Sequence, residues 1–489
     1  MKETKSLVTA LHSQLSCEVL DDDYSLGMYA TDASIYQVKP LAVVIPENES
    51  DIRKAIALAS EYKISILPRG GGTSLAGQAI GKSMIMDFSK HINNIIEINE
   101  EERWVRVQPG MIRDELNKEL AKFNLHFAPD PATTSRANVG GMVGNNSSGM
   151  KSILYGKTVD HVLEARVILA DGTELELKNL SQSEYAAEEK AGGRKGAIYS
   201  QFKSIVHQNA DEVRKRFPKI MRRVGGYNLD EFVDLDEWNL AKLITGSEGT
   251  LAVTLELKLN LEPLPKFKTV CALHFDTFLN AIATVSEILK YKPAAVEIID
   301  ETVIRMSKEN LTTRDYCHFI EGNPGAILLV EFYDDEKEKV MERTLKMAGN
   351  LTQQGKCFAS PAYLQGKEYD EVLLVRKKGL GLMMGMTGGP KPLAFIEDAA
   401  VPLEHLPQYI EQVVKICEKQ GTHPAMYAHA SVGLIHVRPI LDLRRPEDVD
   451  KMKNIANEAF ELVVKYGGSW SGEHGDGMVR SPFNERFFG

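Results

Sequence analysis

A long polar, glycine-rich segment at residues 127–162 constrains the fold of this chain more than any other feature. It reads FAPDPATTSRANVGGMVGNNSSGMKSILYGKTVDHV. Such a segment carries too little apolar surface for a core, and irregular segments of this length are either functional or disordered. Gly140, Gly141, Gly144 and Gly149 leave the backbone bare, so that a bound group can approach it closely. The segment therefore predicts a ligand-binding region between supporting strands and helices.

Two shorter glycine-rich loops accompany the long segment. RGGGTSL at residues 69–75 follows an apolar strand pattern, and its successive backbone N–H groups can form an anion-binding concavity. TGSEGTLAV at residues 245–253 leads into a second strand pattern. Taken singly, each loop is explained equally well as a tight turn.

A near match to the phosphate-binding P-loop, AGQAIGKS, occupies residues 76–83. It has Ala76 where the motif requires glycine. It also precedes the strand pattern MIMDFS, whereas a P-loop opens a helix. This combination argues against a kinase or an ATPase.

Length, charge and cysteine content exclude several classes of protein. A chain of 489 residues is too long for one core, which predicts two or three domains. The formal charge of −10 argues against nucleic-acid binding. The five cysteines are dispersed and form no CxxC pair, which argues against a cysteine zinc site or an iron–sulfur cluster within this chain. The dispersed cysteines and their odd number favour a reducing compartment, where disulfides are rare.

The sequence has neither a signal-peptide pattern nor an apolar run near the ~20 residues that a membrane span needs. We therefore expect a cytoplasmic protein. Peripheral attachment to the inner face of a membrane stays open.

Hydrophobic periodicity predicts alternating strands and helices. Residues 41–68 read as a strand–helix–strand unit, and Asp171-Gly172 predicts the turn of a β-hairpin. Two strand–helix repeats after residue 267 indicate a separate α+β sheet with helices on one face. We expect a first domain at 1–264, a second at 265–453, and a return of residues 454–489 to the first domain.

Two histidines near the end of the chain predict a metal site. His429 and His436 would lie on opposite faces of a straight strand. A fold-back at Gly433 would instead make them cross-strand neighbours, with Cβ atoms ~5 Å apart. A third ligand would come from Glu473 or His474 in SWSGEHGDGMVR, and three ligands with an open position are typical of catalytic metals. The alternative is that both are ordinary hydrogen-bonded histidines.

The three loops, in this order, resemble the FAD-binding domain of the vanillyl-alcohol-oxidase type. That domain occurs in D-lactate, glycolate and D-2-hydroxyglutarate dehydrogenases, and the resemblance covers nearly the whole chain. It implies an α+β architecture: a split FAD-binding domain of the vanillyl-alcohol-oxidase/p-cresol-methylhydroxylase type plus an antiparallel-sheet α+β cap domain. Some members tether the flavin through a histidine near the first glycine loop. This loop has none, so we expect non-covalent FAD.

The resemblance implies cofactor contacts from all three loops. The residues are Arg69, Gly70, Gly71, Gly72, Thr73 and Ser74 in the first loop, Pro131, Thr134, Gly140, Gly141, Asn145, Ser147, Gly149, Tyr155 and Gly156 in the long segment, and Glu248, Gly249 and Thr250 in the third.

The resemblance also implies roles in the chemistry. His429, His436 and Glu473 match metal ligands, and His474 matches the catalytic base. Nitrogen and carboxylate ligands suit zinc, iron or manganese. Relatives carry Gly-Asp-Gly-Asn between the paired histidines, whereas this chain has ASVGLI, which puts the hydrogen bonding around the metal in question.

Two cations are candidates for binding the substrate carboxylate. Arg376 resembles the family's carboxylate-binding arginine, with a solvated helix face as the alternative, and Lys391 is a second candidate. We expect the glycines beside His474 to admit the substrate and the flavin ring close to the backbone.

These features predict FAD-dependent oxidation of a D-2-hydroxy acid, D-2-hydroxyglutarate or D-lactate, to the 2-oxo acid. The alternatives are a flavin-binding electron-transfer or regulatory subunit without its own turnover, and a glycolate-oxidase-type subunit. A quinone, an electron-transfer flavoprotein or an iron–sulfur module would accept the electrons, and a homodimer is compatible with the pattern. The branch that the chain resembles is fused to an iron–sulfur module, so we expect a truncated form of a longer protein.

Overall fold

The computed structural model describes residues 2–385 and 388–489. It begins with a four-stranded sheet in the order β1-β2-β4-β3, parallel except for β1. The strands are β1 (Glu18–Leu20), β2 (Ala42–Ile45), β3 (Ile66–Arg69) and β4 (Met84–Asp87), and the helices are α1 (Lys2–Gln14), α2 (Asp23–Met28) and α3 (Glu49–Glu61).

The predicted strand–helix–strand unit is β2-α3-β3, and the structure confirms it. Asn48 caps α3 by accepting the N–H of Asp51, which explains where the helix begins. The apolar face of α3 packs against the sheet through Ile52 and Ile56. Strand β4 lies between β2 and β3, and the unit places the first glycine loop directly after β3.

A five-stranded antiparallel sheet follows, in the order β5-β6-β12-β8-β9. Its strands are β5 (Ile95–Asn99), β6 (Trp104–Val107), β8 (Val162–Ile168), β9 (Glu174–Leu177) and β12 (Val253–Asn260). Two small strand pairs flank it: β7 (Leu125–His126) with β13 (Glu262–Pro263), and β10 (Asn179–Leu180) with β11 (Trp238–Asn239). The helices are α4 (Arg113–Leu120), α5 (Val139–Asn145), α6 (Ser152–Tyr155), α7 (Gln182–Lys190), α8 (Gly193–Arg216) and α9 (Ala241–Ile244).

The hairpin at Asp171-Gly172 is confirmed, since β8 and β9 pair on either side of it and Gly172 has a φ of +84°. The long segment is more regular than its composition suggests, because it contains the short helices α5 and α6. Helix α5 ends at Asn146, whose left-handed backbone suits asparagine.

The third sheet has seven antiparallel strands in the order β17-β14-β16-β15-β19-β20-β18. They are β14 (Phe267–Phe275), β15 (Ala295–Asp300), β16 (Ala326–Asp334), β17 (Ala362–Leu364), β18 (Lys391–Pro392), β19 (Pro424–Ala428) and β20 (His436–Leu441). The helices are α10 (Phe278–Ile288), α11 (Glu301–Glu309), α12 (Lys337–Gln353), α13 (Lys367–Met384), α14 (Leu406–Lys419), α15 (Pro446–Lys465), α16 (Gly477–Arg480) and α17 (Asn484–Phe488).

The expectation of helices on one face of this sheet is wrong. Alternate strand residues point to opposite faces, and both faces are covered. On one face, Cys271 and Leu328 pack in a core with α10, α12, α14 and α15. On the other, Val270 and Leu329 pack in a core with α11 and α13. Helix α13 carries Arg376, which the sequence predicts to bind the substrate carboxylate.

The end of the chain contacts both parts of the molecule. Helix α15 packs in the core of the seven-stranded sheet, and residues 469–480 then reach the first part, where the N–H of Met478 donates to the carbonyl of Ala76 at 2.8 Å. Within residues 2–385 and 388–489, no helix has the length and apolarity needed to cross a bilayer.

Candidate active site

The paired histidines are brought together by a reversal of the chain between β19 and β20. Gly433 has a φ of +71°, and a Cβ there would lie 2.0 Å from the carbonyl oxygen of Val401. Across the sheet Tyr427, rather than His429, lies opposite His436. His429 follows the end of β19, and its ring centroid is 5.3 Å from that of His436. The fold-back at Gly433 is therefore confirmed, with this difference in register.

Glu473 reaches both histidines because Asp398 holds the loop that carries it. The buried carboxylate of Asp398 accepts the backbone N–H groups of Gly472, Glu473 and His474 at 3.0 to 3.2 Å. The two oxygens of Glu473 lie 3.3 Å from Nε2 of His429 and 3.1 Å from Nε2 of His436. One nitrogen from each histidine and one oxygen from Glu473 all lie within 4.8 Å of one another.

The tautomer of His436 suits a metal ion. Nδ1 of His429 contacts Oε1 of Glu297 at 2.8 Å, and Nδ1 of His436 contacts the backbone carbonyl of Glu397 at 2.9 Å. A carbonyl only accepts, so Nδ1 of His436 carries a proton, and a neutral ring then keeps Nε2 as a lone-pair donor. Both Nε2 atoms face Glu473, and a donor set of two nitrogens and one oxygen fits zinc, iron or manganese.

His474 stacks on His436, with ring centroids 5.2 Å apart and planes 10° apart. Its Nε2 lies 3.1 Å from Oε1 of Glu473, and its Nδ1 lies 3.0 Å from Oε1 of Glu397. Burial lowers the pKa of His474, but the carboxylates of Asp398, Glu397 and Glu473 outweigh burial and raise that pKa to about 10.

Buried arginines balance the acidic groups of the site. Arg222 donates from Nη1 to Oε2 of Glu473 at 3.0 Å, and Arg480 donates from Nη2 to Oε1 of Glu397 at 2.9 Å. Burial raises the pKa of Glu473, but the charges of His429 and Arg222 hold it well below its usual range. Glu473 is therefore ionised and ready to act as a ligand.

Glu297 connects the metal-ligand candidate His429 to Arg376. Besides the contact with His429, its Oε2 accepts from Nε and Nη2 of Arg376 at 2.9 and 2.6 Å. Burial alone would raise the pKa of Glu297, but His429 and Arg376 lower it to about 2. The edge of the Arg376 guanidinium that carries Nε and Nη2 is thus occupied by Glu297.

A single cavity of about 1200 Å³ joins the glycine-rich loops to these side chains. That volume exceeds the range typical of a site for one small ligand. The predicted residues that line it are His429, His436, Glu473, His474, Arg376, Arg69, Gly70, Gly71, Gly72, Thr73, Ser74, Pro131, Gly140, Gly141, Asn145, Ser147, Glu248 and Gly249. Thr134, Gly149, Tyr155, Gly156, Thr250 and Lys391 are not among the lining residues.

Two glycines of the long segment face open space. A Cβ at Gly141 or Gly144 would meet no protein atom within 4 Å, and both residues line the cavity. Their bare backbone leaves room for a flat cofactor. Arg69 behaves differently, since its guanidinium donates to the backbone carbonyls of Tyr29, Thr31 and Ala79 and so shapes the first loop.

The expectation about the glycines beside His474 is wrong. A Cβ at Gly472 would lie 2.3 Å from Cδ1 of Leu434, and one at Gly477 would lie 2.2 Å from the carbonyl oxygen of Ala76. These glycines admit neighbouring protein groups rather than a ligand.

The fold also brings to the site several residues that the sequence patterns did not predict. They are Glu297, Glu397, Asp398, Arg222 and Arg438. A signal was available for two of them. Glu297 is a charge inside the apolar strand pattern VEIID, and Arg438 lies two residues after His436, on the same face of a strand.

Two protein families match this chain. The FAD binding domain matches residues 40–178, and the C-terminal domain of FAD linked oxidases matches residues 264–489. The fold resembles that of p-cresol methylhydroxylase with substrate bound, with a TM-score of 0.70 and 16% identity, over 100% of this chain and 91% of that one.

Proteins of similar sequence carry names that agree with these two domain matches. A D-2-hydroxyglutarate dehydrogenase of Escherichia coli K12 is 35% identical over 94% of this chain, which spans 46% of that protein. A glycolate oxidase subunit of Bacillus subtilis is 27% identical over 95% of this chain and 87% of its own length. The chain thus spans about half the length of the D-2-hydroxyglutarate dehydrogenases that it matches. The chain therefore contains an FAD binding domain and the C-terminal domain of FAD linked oxidases.

Proposed function

We propose that this chain oxidises a D-2-hydroxy acid to the 2-oxo acid, with FAD accepting the two electrons as a hydride. The observation that carries the proposal is the single cavity, because it joins the glycine loops of the FAD-binding domain to His474 and to the cluster of His429, His436 and Glu473. The relatives that match most of the chain carry the names of such enzymes.

FAD is held, in this proposal, by the loop residues that line the cavity. Gly141 and Gly144 face the cavity with bare backbone, and Thr73, Ser74 and Ser147 add hydroxyl groups. When bound, FAD supplies the hydride acceptor. The first glycine loop offers no histidine for a covalent link, so we propose that FAD is non-covalent.

His429, His436 and Glu473 are the proposed metal ligands. A second group, Asp398 with Glu473 and His474, is also compact. Asp398 is less suited because it already accepts three backbone N–H groups and the hydroxyl of Ser471. When bound, a divalent ion supplies a Lewis acid that lowers the pKa of the substrate hydroxyl.

His474 is the proposed base. Its carboxylate neighbours keep it protonated at neutral pH, so it accepts a proton only when one of those charges is engaged elsewhere. Glu473 is a proposed metal ligand, and a bound divalent ion would offset the Glu473 charge that raises the pKa of His474. The hydroxyl proton then moves to Nε2 of His474, and the hydrogen on C2 leaves as hydride while the C2–O bond becomes a carbonyl.

The cap side of the cavity favours a dicarboxylate. Among the described residues after 264 and before 454, Arg376, Lys377, Lys378 and Arg438 line the cavity and no carboxylate does. Arg376 and Arg438 are both buried, and their guanidinium groups lie 5.4 and 5.6 Å from the ring centroid of Tyr427. More than one cation on this side of the cavity suits a substrate with two carboxylates. We therefore propose D-2-hydroxyglutarate rather than D-lactate as the substrate.

The remaining predictions stay proposals. We retain the domain limits 1–264, 265–453 and 454–489, a cytoplasmic location, and a quinone, an electron-transfer flavoprotein or an iron–sulfur module as electron acceptor. Lys391 stays a candidate for carboxylate binding.

Anaerobic reduction of the flavin tests the function. The purified yellow protein is mixed with D- and L-2-hydroxyglutarate, D- and L-lactate, and glycolate, and absorbance near 450 nm is followed. We expect bleaching by D-2-hydroxyglutarate, weaker bleaching by D-lactate and none by the L-acids. Bleaching by a partner protein alone would instead support an electron-transfer subunit, and a protein without flavin would refute the proposal.

A further inference from the structure

Two side chains of the FAD-binding domain hold the backbone that follows His474. The carboxylate of Glu248 accepts the N–H of Asp476 at 2.6 Å and the N–H of Gly477 at 3.0 Å. Gln78 donates from Nε2 to the backbone carbonyl of His474 at 2.8 Å. Three hydrogen bonds thus fix residues 474–477, in addition to the bonds that Asp398 accepts from residues 472–474.

Both side chains are tied to the glycine loops. Oγ of Ser74, in the first loop, donates to Oε1 of Gln78 at 2.5 Å. Glu248, in the third loop, has a left-handed φ of +55°, and its N–H donates to the carbonyl of Gly144 in the long segment at 2.7 Å. The segments that line the proposed FAD site therefore also hold the His474 backbone.

The glycine pattern around His474 is explained by these contacts. Gly475 has a φ of +81°, and a Cβ there would lie 2.3 Å from Nε2 of Gln78 and 2.4 Å from Oε1 of Glu248. A side chain at this position would displace both groups. Gly475 is therefore the residue that lets Gln78 and Glu248 reach the backbone.

Glu248 occupies an unfavourable position for a carboxylate. Burial and the nearby charge of Asp476 raise its pKa to about 7, although the two N–H groups act in the other direction. An acid held in such a place is typical of sites where position serves function rather than stability.

We propose that Glu248 and Gln78 are positioning residues that set His474 relative to the bound flavin. The inference rests on the proposed function, since His474 must face the substrate while the flavin ring receives the hydride. It assigns to Glu248 a contact with the His474 loop instead of a contact with the cofactor. Misplacement of reacting groups by about 1 Å can cost about a hundredfold in rate, so loss of either side chain should slow the chemical step.

Glu248→Gln and Gln78→Glu test this role with little change in size. In Glu248→Gln, the amide NH₂ would face a backbone N–H, so that two donors meet. In Gln78→Glu, a carboxylate oxygen would face the His474 carbonyl, so that two acceptors meet. Glu231→Gln is the control, because Glu231 lies in the same domain and pairs with Lys242 at 2.7 Å outside the cavity. Flavin content, metal content and anaerobic stopped-flow reduction with D-2-hydroxyglutarate are measured for the holoenzyme.

We expect both variants to retain flavin and metal within twofold, with the limiting rate of flavin reduction at least tenfold lower. The apparent Kd of the substrate should change less than threefold, and the isotope effect with substrate deuterated at C2 should stay fully expressed. Hydrogen exchange of peptides that contain residues 474–477 should be faster in the variants and unchanged in Glu231→Gln. This last measurement requires no turnover.

Two outcomes would overturn the inference: reduction rates and exchange equal to those of the wild type, or loss of flavin as the main defect. If the wild-type protein itself is not bleached by any 2-hydroxy acid, the proposed function fails, and hydrogen exchange then decides whether the contacts hold the loop.

Discussion

Replacing Glu297 by glutamine should weaken metal binding at His429 and destabilise the protein. The carboxylate is 1% exposed and accepts from Nδ1 of His429 and from two nitrogens of Arg376 at 2.6 to 2.9 Å. Glutamine keeps the shape but carries an NH₂ group in place of one oxygen. That NH₂ group must face either His429 or Arg376, and both of these side chains donate hydrogen bonds to Glu297 in the wild type.

The structure sets the magnitude of both effects. The pKa of Glu297 falls from its ordinary value of 4.5 to about 2, which corresponds to roughly 3 kcal/mol of favourable interaction for the ionised form. Breaking a buried ion pair from one side costs about 3–5 kcal/mol, and loss of the carboxylate behind a ligating histidine costs about 10–100-fold in metal affinity. Because the pKa is depressed, this stabilisation is present above pH 4.5 and is lost as the pH falls towards 2.

The measurements are metal affinity by competition with a chelator and the free energy of unfolding in urea at pH 7. Glu331→Gln is the matched control, since Glu331 is a buried glutamate of the adjacent strand and contacts the hydroxyl groups of Tyr333 and Tyr369. The control should lose stability without losing metal affinity. A Glu297→Gln protein that binds metal as tightly as the wild type would refute the reasoning.

Three further predictions concern Arg438, the candidate metal ligands and Asp300. Arg438→Gln should raise KM for D-2-hydroxyglutarate at least 30-fold, equivalent to about 2 kcal/mol, with a smaller effect on KM for D-lactate. Arg438→Lys should recover part of the lost affinity, and steady-state kinetics with both acids measure these changes. Removing the metal with a chelator, or changing Glu473→Gln, should abolish anaerobic bleaching while the flavin stays bound, and zinc or manganese should restore only the chelated wild type. Burial raises the pKa of Asp300 from 3.8 to about 6, so its protonated form favours folding at low pH and that contribution disappears as the pH rises through 6. The free energy of unfolding of Asp300→Asn should therefore rise by roughly 2 kcal/mol relative to that of the wild type between pH 4 and pH 8, as measured by urea titration.

The parts of the fold that local patterns determine were predictable. Strands β2 and β3, helix α3 and the hairpin at Asp171-Gly172 follow from periodicity and turn chemistry within short windows. The reversal at Gly433 was predictable for the same reason, because a glycine between two apolar runs permits a left-handed backbone. The residues that this reversal brings together therefore followed from the sequence.

The groups that orient those residues depend on strand order and could not be read from local patterns. Glu297 lies far from His429 in sequence, and it contacts that histidine because β15 pairs with β19. The coverage of both faces of the seven-stranded sheet was missed for a similar reason. Strands buried on both faces give continuous apolar runs, and such runs do not show which face a following helix will cover.

Distant groups hydrogen-bond the paired histidines, although the segment between them departs from the family pattern. The chain lacks the Asp and Asn that relatives carry there, which put the hydrogen bonding of the metal site in question. In the structure, Nδ1 of each histidine is nevertheless satisfied, by the Glu297 carboxylate at 2.8 Å and by the Glu397 carbonyl at 2.9 Å. Both partners fix the ring orientation that leaves Nε2 towards Glu473. The orientation of the two candidate ligands therefore does not require a local Asp or Asn, since Glu297 on β15 and the loop residue Glu397 supply it from far away in the sequence.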